Sequence, residues 1–157
     1  MIIDKARIAT AAIALTGASL FGAVATVATV APAVAAPSIA RTAAPSAGEL
    51  TAKMQIVLNR GASRADRAAE LEAGEAGLPI VDQVAAIIAT LPSYRWSIIG
   101  PVNVQGDTLT AQLKTAVEGY DNLPLAEMSW KQIDGKWKLS NTSLCTIAGF
   151  ASLPCNV

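Results

Sequence analysis

Histidine does not occur anywhere in the 157 residues. Its absence removes Ser-His-Asp and Cys-His chemistry, an imidazole general base and any Cys/His zinc site. An enzyme built from this chain must work with carboxylates, tyrosine or lysine. Cysteine occurs only as Cys145 and Cys155, and no CxxC redox motif exists. Charge is scarce and balanced, 12 basic against 12 acidic side chains, so nothing electrostatic favours a nucleic acid or an anionic bilayer. Phosphate cradles, calcium loops and serine-nucleophile motifs are missing too. Gly100-Pro101 and Gly106-Asp107 read as turns.

What is present begins at the N-terminus. Lys5 and Arg7 precede an uncharged run from Ile8 to Val30, rich in Ala, Val, Leu, Ile, Thr and Gly. Ala33-Val34-Ala35 then sets small residues at the −3 and −1 positions of a signal-peptidase site. The pattern predicts an export segment over residues 1–35, cleaved after Ala35. The competing reading is an uncleaved anchor, since a run of this length spans a bilayer; its Ala, Thr and Gly are only weakly apolar. No cysteine stands near the cut, which argues against a lipoprotein. The remainder carries 10 basic and 11 acidic side chains. It is expected to be secreted or associated with the cell envelope, with no stable membrane insertion after cleavage. In that oxidising setting Cys145 and Cys155 read as one disulfide closing a short C-terminal loop.

Residues 36–45 are rich in Ala and Pro and read as a disordered linker. Residues 46–157 suit one domain with one core. Ser46-Ala47-Gly48-Glu49 is a capping box, and Leu50, Met54, Val57 and Leu58 form an apolar stripe. Gly61 is expected to end that helix in a left-handed conformation. Ser63–Asp66 repeats the cap signal, with Asp66 as capping group. Ala65, Ala68, Ala69 and Leu71 give a short helix ending at Gly74. A third helix starts near Pro79, turns Ile80, Val84, Ile87, Ile88 and Leu91 to one side, and ends at Pro92.

From Tyr94 the period falls from 3.6 to 2. Tyr94–Ile99 reads as a strand. Val102–Gln105 and Thr108–Lys114 flank Gly106-Asp107, a hairpin setting Val104 opposite Leu109 and Val102 opposite Ala111. Residues 119–124 form a loop. Met128–Ile133 and Lys136–Ser140 flank Asp134-Gly135, a type I′ signal. Its register sets Trp130 opposite Leu139 and Gln132 opposite Trp137, with both tryptophans on the core face and Lys131 and Lys138 on the wet one. A short helix near Leu144–Phe150 follows. Helices first and strands after predict an α+β fold, N-terminal helices packed on a curved antiparallel sheet.

The helix Ser46–Arg60, Tyr94-Arg95-Trp96, the Val102–Lys114 hairpin, Asp134-Gly135-Lys136-Trp137-Lys138-Leu139-Ser140 and the tail from Ser143-Leu144-Cys145 to Pro154-Cys155 carry a resemblance. Over roughly residues 47–157 the chain resembles the C-terminal domain of mycobacterial low-molecular-weight culture-filtrate antigens and related actinobacterial secreted proteins. The resemblance implies export, a cone-like fold of the nuclear-transport-factor-2 type and the same disulfide. It brings no catalytic set.

A cone fold offers an apolar cavity between sheet and helices. Tyr94, Trp96, Trp130 and Trp137 either line such a cavity or serve as core aromatics. Most carboxylates have local roles: Asp107 and Asp134 in turns, Asp121 in a loop, Glu49 in the capping box, and Glu70, Glu72 and Glu75 as an exposed cluster. Asp82, in the first turn of helix three, and Glu127, opening a strand, are the two placed to enter the cavity as a base. Arg95 either clamps an anion or points to solvent. The ligand pocket is therefore drawn from Tyr94, Trp96, Asp82 and Glu127, with no metal and no cofactor expected. The function expected is non-enzymatic binding of a small apolar ligand or an envelope protein. The alternative is a small lyase, isomerase or hydrolase using a carboxylate and Tyr94. A passive envelope protein is a third reading.

Overall fold

A computed structural model describes residues 43–120 and 123–157. The export segment, most of the Ala/Pro linker and Asp121 lie outside these described residues. The remainder has helices α1 (Ala47–Leu58), α2 (Arg64–Ala69), α3 (Leu78–Ala89) and α4 (Asn141–Phe150). A single 3₁₀ turn, Gly74–Gly77, precedes α3. Strands β1 (Arg95–Gln105), β2 (Thr108–Ala116), β3 (Ala126–Ile133) and β4 (Lys136–Leu139) form one antiparallel sheet in sequence order. The α+β expectation holds at this level.

The capping box at Ser46 and Glu49 is formed on both sides. Two hydrogen bonds from Ser46, backbone amide first and hydroxyl second, hold the Glu49 carboxyl below its ordinary range. Leu50, Met54 and Val57 are buried and Leu58 is partly so. Gly61 does not end α1. Asn59 does, in extended conformation at φ −78 and ψ 100, and Gly61 is not among the positive-φ residues. The helix unwinds before the glycine because the Asn59 side chain accepts from the Gly61 amide at 2.9 Å, a local bond that competes with the next helical turn.

The second helix also stops early. Leu71 leaves it to form a parallel bridge with Leu139. The Leu139 amide donates to Glu70 at 2.8 Å and the Glu72 amide to Leu139 at 2.9 Å. Segment 70–72 thus lies along the outer edge of β4. The capping oxygen of α2 belongs to Ser63, which accepts from the Asp66 amide and donates to its carboxylate.

Helix α3 is turned from its expected orientation. Leu78, Ile80, Val81, Val84 and Ala85 are buried, while Ile87 and Leu91 stay exposed. Asp82 lies beyond the first turn, in which no acidic residue stands.

The expected strands Tyr94–Ile99 and Val102–Gln105 form one strand from Arg95 to Gln105, with Tyr94 just before it. Gln105 faces Thr108 and Val104 faces Leu109, as expected. The ladder then breaks between Asn103 and Ile99, and the next pair is Ile99 with Gln112. Gly100, Pro101 and Val102 bulge against the single residue Ala111, so Val102 loses its expected partner yet still packs on the core. Helix α1 lies beside this strand. The Thr51 hydroxyl accepts from the Ile98 amide at 3.0 Å on the side away from β2.

The β3–β4 hairpin has the expected register at every pair from Ile133–Lys136 to Trp130–Leu139. Asp134 (φ 52) and Gly135 (φ 74) take the two positive φ values that a type I′ turn needs. Trp130 and Trp137 are buried with Leu109, Met128 and Leu139, which settles them as core aromatics. Helix α4 begins at Asn141, earlier than expected, because Ser140 caps it by accepting from the Ser143 amide. It ends in a Schellman turn: Ser152 takes φ 55 and the Leu153 amide returns to Ala148 at 2.9 Å. That reversal brings Cys155 back to Cys145, and the two form the disulfide with Cα atoms 5.3 Å apart.

Candidate functional site

The sheet and helices leave an open apolar cleft at one end of the domain. Its larger lobe, about 250 Å³, lies between Tyr94, Leu113 and Thr115 on one side and Leu123, Pro124, Ala126 and Phe150 on the other. A smaller lobe of about 110 Å³ continues between α3 and α4, walled by Val84, Ile87, Ile88, Leu91 and Ile147. The lobes meet at Tyr94, Leu113 and Phe150, which line both.

Each wall has a local cause. Pro92 follows the end of α3, and the Tyr94 amide closes a turn on Leu91. Tyr94 therefore enters just before β1, on the same alternating face as Trp96 and the buried Ile98. Leu113 and Thr115 follow from the period of β2, whose Leu109 and Ala111 are core. Phe150 is the last residue of α4, inside the disulfide loop, and remains 64% exposed. Ile87, Leu91 and Leu125 are further large apolar residues exposed in or beside the cleft. Contiguous apolar exposure is a common feature of interaction and ligand sites on folded proteins.

Tyr94 is the one titratable group in the described lining, and partial burial raises its pKa above 10.0. Of the four residues expected in the pocket, the structure places only Tyr94 there. Trp96 packs on the core and borders a separate shallow site with Arg95 and Lys114. Asp82 is held elsewhere. Its Oδ1 accepts from the Arg67 guanidinium at 2.6 Å, and Arg64 stands 4.0 Å from its Oδ2. Arg67, nearly buried, also donates to the Val57 carbonyl at 2.9 Å. The pair locks α2 to α3 and to the end of α1. Glu127 alternates with the buried Met128 and faces away from the core. It shares a polar hollow of about 430 Å³ with Asn103, Gln105, Thr108 and Thr110. Arg95 is exposed and donates to the Pro92 and Tyr94 carbonyls.

Sequence reasoning missed Phe150, Leu113 and Leu123. Phe150 alone left a signal: a large aromatic closing a helix, followed by small residues.

The opposite end of α4 is closed. Ser129, Ser140 and Ser143 bring three hydroxyls together at 2.6–3.1 Å. Ser143 Oγ accepts from the Ser129 amide at 2.6 Å, and Ser140 Oγ from the Ser143 amide at 3.1 Å. Beside them Glu72 accepts from the Asn141 amide and from Lys131, each at 2.7 Å. Partial burial pushes the Glu72 carboxyl up. The Lys131 hydrogen bond, the Asn141 amide and the Lys131 charge together outweigh it, and the net shift is downward. Lys131 is raised in turn by Glu72. Glu70 pairs with Lys53. Of the expected exposed acidic cluster only Glu75 is well exposed, its side chain at 70%.

No curated protein matches the chain. One family model does, over residues 43–155: low molecular weight antigen MTB12, C-terminal domain. The match takes in all four helices and all four strands.

Proposed function

The chain belongs to the family of the low molecular weight antigen MTB12 C-terminal domain, and on that premise we propose that it is an exported, non-enzymatic binding protein that takes a small apolar ligand in the cleft beside Tyr94. Export rests on the N-terminal pattern of Lys5, Arg7, the run to Val30 and the Ala33-x-Ala35 site. The finer fold reading is a cone of the nuclear-transport-factor-2 type, with the cleft as its mouth.

The observation that carries the binding reading is the placement of exposed apolar side chains. Phe150, Leu91 and Ile87 line one open cleft, and Leu125 adjoins its Pro124 wall. Elsewhere the described acidic groups face solvent or hold ion pairs and caps. The described lining pairs no carboxylate with Tyr94, which supports binding over acid–base chemistry.

A native mass spectrum of the protein recovered from its own culture medium tests the proposal. The expected species begins at Ala36, lacks two hydrogens for the disulfide and retains a small molecule. Recovery only as the full-length chain in the membrane fraction overturns export. A bare polypeptide that also fails to take up apolar probes overturns ligand binding.

A further inference from the structure

We infer that the cleft is built for a single unbranched aliphatic chain ending in a neutral polar group, a hydroxyl or an ester, and that it rejects both ions and compact ring systems. This inference rests on the binding reading above and specifies its ligand.

The first argument is charge. Among the described residues lining the two lobes there is no Lys, Arg, Asp or Glu. The nearest cation in sequence, Arg95, is occupied by the carbonyls of Pro92 and Tyr94. An ionised headgroup carried into such a site loses water and gains no counter-charge from the described lining. The polar side-chain groups that remain are the hydroxyls of Tyr94 and Thr115. Burial favours the neutral phenol at Tyr94. A neutral phenol donates one hydrogen bond and accepts another, which suits an alcohol or a carbonyl oxygen.

The second argument is shape. The cleft is two lobes meeting at Tyr94, Leu113 and Phe150, not one round chamber. A 150 Å³ apolar cavity holds benzene. On that scale the larger lobe takes on the order of ten heavy atoms and the smaller about four. A flexible chain can bend across Tyr94, Leu113 and Phe150, which line both lobes, and fill each in turn. A polycyclic body of the same mass must stay in one lobe and leaves the other unfilled, forfeiting its contacts.

The test uses the full chain with its disulfide intact and isotope-labelled methyl groups. It is titrated with 1-decanol, decanoate at pH 8, decyltrimethylammonium and 1-adamantanol. 1-Decanol is expected to shift the methyls of Leu113, Leu91 and Ile147 saturably, touching both lobes. Decanoate, the ammonium and adamantanol are each expected to bind at least tenfold more weakly. Tyr94→Phe, which keeps the ring, is expected to weaken decanol roughly three- to tenfold, the loss of one hydrogen bond. An ion or adamantanol binding as tightly as decanol overturns the neutral-chain inference and leaves the cleft a binding site. Failure of all four probes to move those methyls overturns the binding reading as well. Methyl shifts that depend on protein concentration without any probe assign the cleft to a second copy of the chain and overturn both.

Discussion

Helix α4 has two unlike ends. At its start, Ser140 and Ser143 are buried, their hydroxyls are paired with each other and with Ser129, and Glu72 closes the first turn. At its finish Phe150 projects largely into solvent beside the open cleft. The same ten-residue helix is thus closed by paired hydroxyls at one end, where Asn141 Oδ1 alone among the described groups of that end is buried without a partner, and left open at the other. Polar groups in the interior are costly when unpaired, so the three serine hydroxyls and Glu72 at the closed end hold one another and the backbone. An apolar cleft carries no such demand. Open apolar surface forfeits contacts but, among the described lining residues, strands few polar groups, so space can be kept there at modest cost.

The largest test of this contrast is Trp130→Ala, on the packed face. It is expected to cost about 3–5 kcal/mol, as truncation of a buried tryptophan does. Urea unfolding measures it, and a loss under about 1 kcal/mol would mean the core is not where we place it. Next comes the disulfide, which ties the open end. Cys145→Ser is expected to cost up to about 3 kcal/mol, the loop-entropy figure for so short a loop, and to lower the melting temperature without unfolding the domain at room temperature. An unchanged melting temperature under non-reducing conditions would remove its structural role.

Glu72→Gln probes the closed end with pH and has a smaller effect. The folded pKa of Glu72 lies below its ordinary value of 4.5. Its contribution is therefore fully present above about 4.5 and is lost as pH falls through the lower folded value. The substitution is expected to lower stability at pH 7 and to make little difference in strong acid. Salt is expected to narrow the gap, because Lys131 is 46% exposed. Equal losses at both pH extremes would point to packing, not charge. Smallest is Phe150→Ala. It is expected to change unfolding free energy by less than about 0.5 kcal/mol while weakening probe binding in the cleft. A large loss of stability would show that Phe150 belongs to the core after all.

The closed side was legible in the sequence because its determinants are local. Asp134-Gly135 fixes the turn, the turn fixes the register, and the period of two then assigns Trp130, Trp137 and Leu139 to one face. Ser46 with Glu49 is equally local. The errors arise where tertiary partners decide. Ile80, Val84, Ile87, Ile88 and Leu91 are all apolar, so the period of α3 admits more than one rotation. Leu78, Val81 and Ala85 are the residues that the fold buries with Ile80 and Val84. Leu71 reads as helical until Leu139, far along the chain, draws it into a bridge. Lys131, 59 residues from Glu72, gives no local sign that it will neutralise it. The cleft suffers most. Its walls come from α3, β2, the 123–126 segment and α4, so of the four residues proposed for it only Tyr94 lies there, Asp82 and Glu127 being held elsewhere by an arginine and by strand parity.

Thr51 matters for more than the seat of α1. Sheets grow by adding strands at their margins, and the same route leads to fibrils. Here β4 is already paired at Leu139 with residues 70–72, and β1 offers an arriving strand an amide at Ile98 that Thr51 has taken. Pro101, further along the same strand, has no N–H to give. A protein with an apolar mouth risks adhesion wherever its concentration rises. In this one, adhesion through the cleft meets no backbone template at Ile98, at Pro101 or at Leu139 that would turn a chance encounter into a growing fibre.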